Sequence, residues 1–305
     1  MSRIYSVRCV SAVLLFSAFL VFHAATARAQ VTLAAAVNAA SFANSALPNG
    51  KLAQGVLFTA FGSNMGPASI VRVSAFPLPT TLGGTSVRVT VGSTTVNCLM
   101  IYTVAGQIAA ILPNNTPTGN GTMVVTYNNQ NSAPLNVTVV ASAFGIFSVN
   151  LSGTGPAVMT DPFTAAPNSF TNAANPQRLL DIWGTGLAAV NADESLGPAP
   201  GDLTNLNVEV WVGGTQAQVL YRGRSGCCSG VDQIRIAVPA GVTGCSVSLY
   251  VLVQGIPSNF MTMSIAPSGS VCSDPGGYTQ AELEALIANG SIRIGALGLG
   301  RLQVS

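Results

Sequence analysis

The residues of this chain best suited to chemistry are its cysteines. Beyond Cys9 there are five, and four of them lie within the last third of the sequence: Cys227, Cys228, Cys245 and Cys272. In an oxidising compartment such a cluster is typical of disulfide bonds, and the four allow three pairings. Because a bond between adjacent cysteines would strain the backbone, we expect those two to bond separately, one to Cys245 and one to Cys272.

The fifth cysteine, Cys98, lies beside a predicted strand and is expected to be a buried free thiol. Closing a loop of about 18 residues with a disulfide stabilises a fold by roughly 3 kcal/mol, so structural bonds are the favoured interpretation for the other four. A zinc or redox role for the cysteines is the alternative.

A polar segment surrounds the two adjacent cysteines. It runs from Tyr221 to Asp232, contains Arg222 and Arg224, and is longer than the matching segment in the first half of the chain. Extra loop length on a β-sandwich is a common location of binding sites, and these four side chains suit an anionic or glycan ligand. The alternative is that one of the arginines pairs with Asp232 and only organises the loop.

Two tryptophans and two carboxylates are further candidates. Trp183 and Trp211 could stack on sugars, but their strand-like surroundings favour half-buried packing. Asp181 and Asp232 would suit acid–base catalysis only if two carboxylates lay about 5 to 10 Å apart in one cleft. We therefore expect no catalytic, metal-binding or cofactor-binding residue.

Histidine chemistry is excluded by the position of the only histidine. His23 falls within residues 1–29, which begin with two arginines, continue with an apolar run and end in Ala27-Arg28-Ala29. That order is typical of a secretory signal peptide, and cleavage after Ala29 leaves a product without histidine. Ser-His-Asp and Cys-His nucleophile systems and histidine metal sites are then excluded.

Charge and hydropathy limit the partners. Removal of Arg3, Arg8 and Arg28 with the signal peptide leaves nine basic against ten acidic residues, a net charge of −1. That balance does not favour nucleic acid, and no later apolar stretch reaches the roughly 18 residues needed to cross a bilayer. We expect an exported protein, periplasmic, cell-surface or extracellular, without a membrane span after signal cleavage.

Strand patterns dominate the remaining sequence. Alternation of β-branched and polar residues at 87–91, 123–127, 135–139 and 208–212 predicts half-buried antiparallel strands. Clusters of Gly, Pro and Asn between them supply tight turns. Short strands separated by such turns favour β-sandwiches over helical or α/β folds.

The same order of motifs occurs twice. In the first copy residues 57–66, 85–92 and 107–113 read LFTAFGSNMG, TSVRVTVG and QIAAILP. In the second copy residues 179–187, 208–214 and 233–239 read LLDIWGTGL, VEVWVGG and QIRIAVP. A duplicated unit of about 110 residues indicates a duplicated fold, each copy long enough for one two-sheet core.

The motifs divide the chain into four parts. We expect a signal peptide at 1–29, sandwiches at 30–141 and 142–266, and a tail at 267–305 with one short helix over 280–288. Residues 142–153 join the two copies and are expected to form a short, partly buried connector, because the apolar area of Phe144, Ile146 and Phe147 is worth about 25 cal/mol per Å² on burial. The two sandwiches should then pack at a restricted angle.

Several motifs together resemble a known family. Residues 37–42, 61–67, 78–84, 143–147 and 183–187 are, in that order, similar to the acidobacterial (Solibacter-type) uncharacterized domain of secreted proteins. The resemblance covers roughly residues 35–266. It implies tandem immunoglobulin-like units akin to the IPT/TIG class, and it implies neither an enzymatic activity nor a catalytic residue.

The sequence therefore predicts an all-β protein of two tandem immunoglobulin-like sandwiches. Its predicted function is that of a non-enzymatic interaction or structural module of the cell envelope or extracellular space, whose partner is a protein or a polysaccharide. The alternative is a carbohydrate-binding protein that uses residues 221–232. An enzyme built on carboxylates of the second sandwich is the least favoured hypothesis.

Overall fold

The computed structural model describes residues 30–274 and 280–290 of the chain. The expected signal peptide and most of the tail after residue 274 lie outside the described residues. Strands make up nearly all of the regular structure, and two sandwiches follow one another along the chain. The predicted all-β fold of tandem immunoglobulin-like sandwiches is confirmed, while the domain boundaries stay predictions.

The first sandwich contains twelve strands and a short 3-10 helix, Pro48–Gly50. The strands are β1 (Thr32–Asn38), β2 (Leu52–Ala53), β3 (Leu57–Ser63), β4 (Val71–Arg72), β5 (Thr81–Leu82), β6 (Thr85–Val91), β7 (Thr94–Asn97), β8 (Leu99–Val104), β9 (Gln107–Ile111), β10 (Gly119–Tyr127), β11 (Gln130–Asn131) and β12 (Leu135–Val140). One sheet has the order β1-β3-β9-β8-β4 and the other β2-β12-β10-β6-β5, with β7 on β6 and β11 on β10.

The core of the first sandwich lies between these two sheets. Alternate residues of β6, Val87 and Val89, are fully buried, and they belong to one apolar cluster with Phe58, Met100 and Ile108 of the opposite sheet. Full burial of such side chains is worth about 1.5 to 3 kcal/mol each. The period-two pattern of the sequence thus places its apolar half in the core.

The second sandwich contains eleven strands. They are β13 (Gly145–Ile146), β14 (Gly155–Pro156), β15 (Met159–Thr160), β16 (Leu179–Thr185), β17 (Gly201–Asp202), β18 (Val208–Val212), β19 (Thr215–Arg224), β20 (Asp232–Ala237), β21 (Gly244–Val253), β22 (Ile256–Pro257) and β23 (Met261–Ile265). Their hydrogen-bonded order is β13-β16-β20-β19-β18-β21-β23-β14, with β15 on β16, β17 on β19 and β22 on β21.

One strand belongs to both layers of the second sandwich. The first three residues of β19 pair with β18, and the strand pairs with β20 from Gln218 onward, with an irregularity between Val219 and Tyr221. In the first sandwich two separate strands take the place of β19. Strand β7 pairs with β6, β8 pairs with β9, and the fully buried Cys98 lies between them.

The internal repeat of the sequence is also a repeat of topology. Strands β1, β3 and β9 correspond in pairing to β13, β16 and β20. In each sandwich a two-residue strand, β2 or β14, pairs in parallel with the last long strand, β12 or β23. Phe144 and Ile146, expected to be partly buried, are 2% and 0% exposed and lie in the core of the second sandwich.

One helix, α1, spans Gln280–Asn289. Among the described residues, no helix combines the length and the apolar character that crossing a bilayer requires.

Candidate functional site

A buried ion pair lies next to the loop of the hairpin formed by β19 and β20. Strand β19 ends at Arg224 and β20 begins at Asp232, and the two residues are register partners. Nη1 of Arg224 donates to Oδ1 of Asp232 over 2.5 Å, and the two side chains are 0% and 1% exposed. The loop 221–232 is therefore closed at one end by an ion pair that water does not reach.

A second carboxylate lies on the same guanidinium. Nε of Arg224 is 2.9 Å from Oε1 of Glu194, an ion-pair contact in which the N–H is not directed at the oxygen. The backbone N–H of Gly230 donates to that oxygen over 2.8 Å. One guanidinium thus lies between two buried carboxylates, and their combined formal charge is −1.

The first sandwich supplies further partners. Nη2 of Arg224 donates to the carbonyl oxygen of Gly55 at 3.2 Å and to Oδ1 of Asn114 at 3.3 Å. Nδ2 of Asn114 in turn donates to Oε2 of Glu194 at 2.9 Å. We call Arg224, Asp232, Glu194 and Asn114 the Arg224 cluster. Groups from both sandwiches satisfy the charges within it.

Other hydrogen bonds join the two sandwiches around this cluster. The N–H of Leu57 donates to Oγ1 of Thr185 at 2.8 Å, and the carbonyl oxygen of Thr185 accepts from Nδ2 of Asn38 at 3.0 Å. The N–H of Leu78 donates to the carbonyl oxygen of Ser195 at 2.6 Å. The joint between the sandwiches is therefore polar and hydrogen-bonded on several sides.

The electrostatics of the cluster follow from burial. Loss of water raises the pKa of Asp232 from 3.8 to about 6. The guanidinium of Arg224 and the N–H of Leu187 favour the carboxylate and limit that rise, while the charge of Glu194 adds to it. A single cation does not neutralise two carboxylates, so the cluster takes up a proton more readily than an exposed aspartate does.

The charged groups of the Arg224 cluster are buried and bonded within the chain. A cleft of about 910 Å³ lies beside it, lined by residues 189–194 together with Pro113, Asn114 and Asn115. Within this cleft, Asn114 and Glu194 are bonded to one another.

The geometry bears on two of the four residues of the predicted ligand loop. Arg224 and Asp232 are buried and paired with each other, which is the loop-organising alternative, whereas a ligand role for the half-buried Tyr221 and Arg222 stays a prediction. The hydroxyl of Tyr221 donates to the carbonyl oxygen of Arg224 at 2.6 Å, and Nη2 of Arg222 donates to that of Thr204. All four side chains therefore have structural partners within the chain.

The predicted disulfide pairing is wrong. Cys245 is bonded to Cys272, and both are buried. Cys227 and Cys228 are free and exposed, because the hairpin loop that carries them is held against Glu194 through Ser229 and Gly230. Cys98 is a buried free thiol, as expected.

Sequence reasoning missed three residues of the joint: Glu194, Asn114 and Gly55. Glu194 stands in a polar stretch that looks exposed in sequence, yet it is 3% exposed. Asn114 and Gly55 lie in turns of the first sandwich, 110 and 169 residues before Arg224. No local pattern links positions so far apart.

A row of three aromatic side chains crosses one sheet of the second sandwich, and we call Trp211, Tyr250 and Phe260 the aromatic row. Trp211 of β18 and Tyr250 of β21 are register partners with ring centroids 6.3 Å apart and planes 6° from parallel. The ring of Phe260, 63% exposed, lies 5.1 Å from that of Tyr250. Val210 and Val212, the neighbours of Trp211, are buried, so the row lies on the outer face.

The other tryptophan of the sequence analysis, Trp183, is half-buried, and its Nε1 donates to Oγ1 of Thr160.

No protein-family model matches the sequence, and no curated protein matches it. Solved structures match the fold at low identity. A Bacteroides ovatus protein of a mixed-linkage glucan utilization locus, SGBP-B in complex with a mixed-linkage heptasaccharide, is 10% identical with a TM-score of 0.32. The match covers 72% of this chain and 46% of that one, so this chain spans less than half of its length.

Two further structures are similar at the same level. Domains 5–6 of the S-layer protein SbsC are 13% identical with a TM-score of 0.25, over 79% of this chain and all of that one. The I9–I11 tandem of titin is 8% identical with a TM-score of 0.19, over 70% of this chain and 62% of that one. Likenesses at these scores carry no argument about ligand or activity.

Proposed function

We propose that the chain is an exported, non-enzymatic interaction or structural module whose two immunoglobulin-like sandwiches act as one rigid unit. The Arg224 cluster carries the proposal, because side chains of both sandwiches share its buried charges. Separating the sandwiches would leave Nη2 of Arg224 without Gly55 and Asn114, and Oε2 of Glu194 without the amide of Asn114, which is unfavourable until water replaces these groups. A module with this joint holds its two outer surfaces in a fixed relation.

Export is part of the same proposal. It is supported by the signal-like residues 1–29 and by the disulfide between Cys245 and Cys272, a bond that persists in oxidising compartments. The resemblance to the acidobacterial secreted domain family, with its IPT/TIG-like units, agrees with this location. The partner we propose is a protein or polysaccharide of the envelope or its surroundings.

The absence of enzymatic activity is proposed from the state of the acids. Asp181 is held by Arg235, with Nε and Nη2 at 2.7 and 2.9 Å from its two oxygens. Asp161 pairs with Arg178 at 2.8 Å. Carboxylates engaged in this way are poorly placed to act as the acid and base of a hydrolase.

The rigidity of the joint is tested by hydrogen exchange at two amides of the first sandwich that donate across it, those of Leu57 and Leu78. Their acceptors are Oγ1 of Thr185 and the carbonyl oxygen of Ser195, both in the second sandwich. We expect strong protection in the wild type and exchange at least about tenfold faster in Asn114→Ala. The exposed neighbour gives the matched control, Asn115→Ala, which should leave both rates unchanged.

Two results would contradict the proposal. Exchange of both amides at the rate of an unstructured peptide in the wild type would mean that the sandwiches move independently. Recovery of the chain from the cytoplasm with Met1 or Ser2 at its amino terminus, instead of a product that begins at Gln30, would refute export.

Carbohydrate binding is the second candidate function, and the aromatic row is the observation that favours it. The near-parallel rings of Trp211 and Tyr250, continued by the exposed Phe260, form an apolar strip on an outer sheet face, a surface on which sugar rings can stack. Oε2 of Glu209 lies 3.3 Å from Nε1 of Trp211 and adds a polar group beside the strip. This location is a candidate in addition to the loop 221–232.

The carbohydrate hypothesis is tested with a panel of soluble polysaccharides and tryptophan fluorescence as the readout. Binding should saturate in the wild type and weaken at least about tenfold in Phe260→Ala, the loss of one stacking ring. Phe163→Ala removes another exposed phenylalanine, 80% exposed against 63% for Phe260, elsewhere on the same sandwich and is the control. Equal affinities for the two variants, or silence across the panel, would remove this candidate.

A further inference from the structure

Two cysteines take no part in the joint or in the structural disulfide. Cys227 and Cys228 are exposed at the tip of the β19–β20 hairpin, whereas Cys98 is fully buried and Cys245 is bonded to Cys272. They are the solvent-accessible thiols among the described cysteines. The described cysteines therefore fall into three groups: two exposed thiols, one buried thiol and one disulfide-bonded pair.

The hairpin loop holds these two thiols together. The N–H of Ser225 donates to the carbonyl oxygen of Val231 at 2.9 Å, which closes the loop. Oγ of Ser225 is 3.4 Å from Sγ of Cys227 and donates to the carbonyl oxygen of Cys228 at 3.2 Å. The thiol of Cys227 is close enough to that of Cys228 to raise its pKa.

Both ends of this loop are fixed. Arg224 precedes it and Asp232 follows it, joined as the buried ion pair of the Arg224 cluster. Oγ of Ser229, the residue after the second cysteine, donates to the carbonyl oxygen of Glu194 at 3.0 Å. The loop therefore holds its two thiols on a short turn that is fixed at both ends. The hairpin contains no third cysteine.

We propose that Cys227 and Cys228 form a thiol–disulfide exchange site, a vicinal dithiol that closes reversibly to a disulfide between adjacent residues. The proposal rests on the exposure of both thiols, on their adjacency in the chain and on the anchored loop. It is independent of what the module binds. The reactant it takes is a disulfide-bearing thiol oxidant, of which oxidised glutathione is the simple probe.

The exchange proceeds in two balanced steps. The thiolate of Cys227 attacks one sulfur of the oxidant R–S–S–R, forms the mixed disulfide Cys227–S–S–R and releases one thiolate, RS⁻. The sulfur of Cys228 then attacks the Cys227 sulfur, gives up its proton, and displaces the second R group as a thiol. The protein loses two electrons and two protons, and one oxidant disulfide is reduced to two thiols.

Adjacency makes the bond easily reduced. Consecutive Cα atoms are about 3.8 Å apart, below the roughly 4.4 to 6.8 Å that an unstrained disulfide prefers. Strained and exposed disulfides are the labile ones, whereas buried unstrained ones resist reduction. Burial and the neighbouring Cys227 raise the pKa of Cys228 to about 12 in the dithiol, so Cys228 is the protonated partner while Cys227 makes the first attack.

Trypsin separates the two cysteine pairs. Cleavage after Arg224 and Arg235 yields the peptide 225–235, which holds Cys227 and Cys228, while the next peptide, 236–293, holds Cys245 and Cys272. The purified protein is equilibrated in glutathione buffers of graded ratio, free thiols are alkylated, and both peptides are weighed. We expect peptide 225–235 to pass from two alkyl groups to none, with the loss of two hydrogens.

The structural pair is the internal reference. Cys245–Cys272 should remain bonded in buffers that open half of the Cys227–Cys228 bonds, with equilibrium constants at least about tenfold apart. In Cys227→Ser, Cys228 should be alkylated or carry one glutathione, with no internal bond. Three results would overturn the proposal: a cross-link between peptides 225–235 and 236–293, two alkylated thiols at every ratio, or two glutathiones without ring closure.

Discussion

Nη2 of Arg224, in the second sandwich, donates a 3.2 Å hydrogen bond to the carbonyl oxygen of Gly55, in the first. The backbone of Gly55 has φ of +72°, and a Cβ on this residue would lie 2.3 Å from Nη2 of Arg224. A glycine is thus required at position 55 for two reasons: its backbone has a positive φ, and the guanidinium of Arg224 occupies the space that a Cβ would need.

Gly55→Ala should destabilise the protein by at least about 2 kcal/mol, because backbone strain and displacement of the guanidinium add together. Gly92→Ala is the matched control: its φ is +57°, but a Cβ there would meet open space. That control should show only the conformational part, about 1 kcal/mol. Urea unfolding measures both, and equal losses would mean that the contact with Arg224 contributes nothing.

Arg224→Met should be among the most damaging single substitutions in the chain. It leaves Glu194 and Asp232 buried without a cation, for which about 3 to 5 kcal/mol is expected. Arg222→Met, two residues away, removes a half-buried arginine bonded to a carbonyl oxygen and should cost less than about 1 kcal/mol. The free energies of unfolding at pH 7 distinguish the two, and a loss below 1 kcal/mol for Arg224→Met would show that the buried charges find other partners.

Stability should rise on mild acidification because of Asp232. Its pKa is about 6 in the folded chain and near 3.8 when exposed, so between these values the folded state binds more protons than the unfolded state. The contribution is complete below pH 3.8 and is lost as the pH rises through 6. From pH 7 to pH 5 the wild type should gain about 1 kcal/mol from this group.

Asp232→Asn isolates this contribution, since asparagine keeps the size of the side chain and does not titrate. The difference between the wild-type and Asp232→Asn unfolding free energies, measured at pH 5, 6 and 7, should change by that amount. A difference independent of pH over this range would mean that Asp232 remains ionised throughout.

Removal of the disulfide between Cys245 and Cys272 should destabilise the second sandwich by about 3 kcal/mol, because it closes a loop of 27 residues. The variant Cys245→Ala/Cys272→Ala tests this by urea unfolding. The reference variant is Cys227→Ser/Cys228→Ser, at exposed positions, where a change within about 0.5 kcal/mol is expected. Similar midpoints for both double variants would contradict a structural role for the bond.

Patterns of short range were readable from the sequence, and contacts of long range were not. The alternation around Val87 and Val89, and the matching runs 57–66 and 179–187, predicted strands and their repetition because both signals lie within a few residues. Arg224 and Asp232 were also predicted from the sequence to lie together in one loop. Their burial was missed because it depends on Gly55 and Asn114, which only the folding of the first sandwich brings to them.

The same difference between short-range and long-range information applies to the cysteines. Four of them in the last third of the chain indicated disulfide bonding, and one bond is present. The choice of partners depended on where the hairpin tip of Cys227 and Cys228 is directed. That direction is set by Glu194, through Ser229 and Gly230, and a spacing rule for cysteines contains no information about it.

Strand β19 gives the second sandwich a mechanical property that the first lacks. Since the same ten residues pair with β18 at one end and with β20 at the other, the two layers share one continuous strand, and a pull on either layer loads the hydrogen bonds of both. In the first sandwich the backbone is also continuous, but the strand is interrupted at Cys98 between β7 and β8, and that residue can turn under load. Under tension along the chain, we expect the first sandwich to yield before the second.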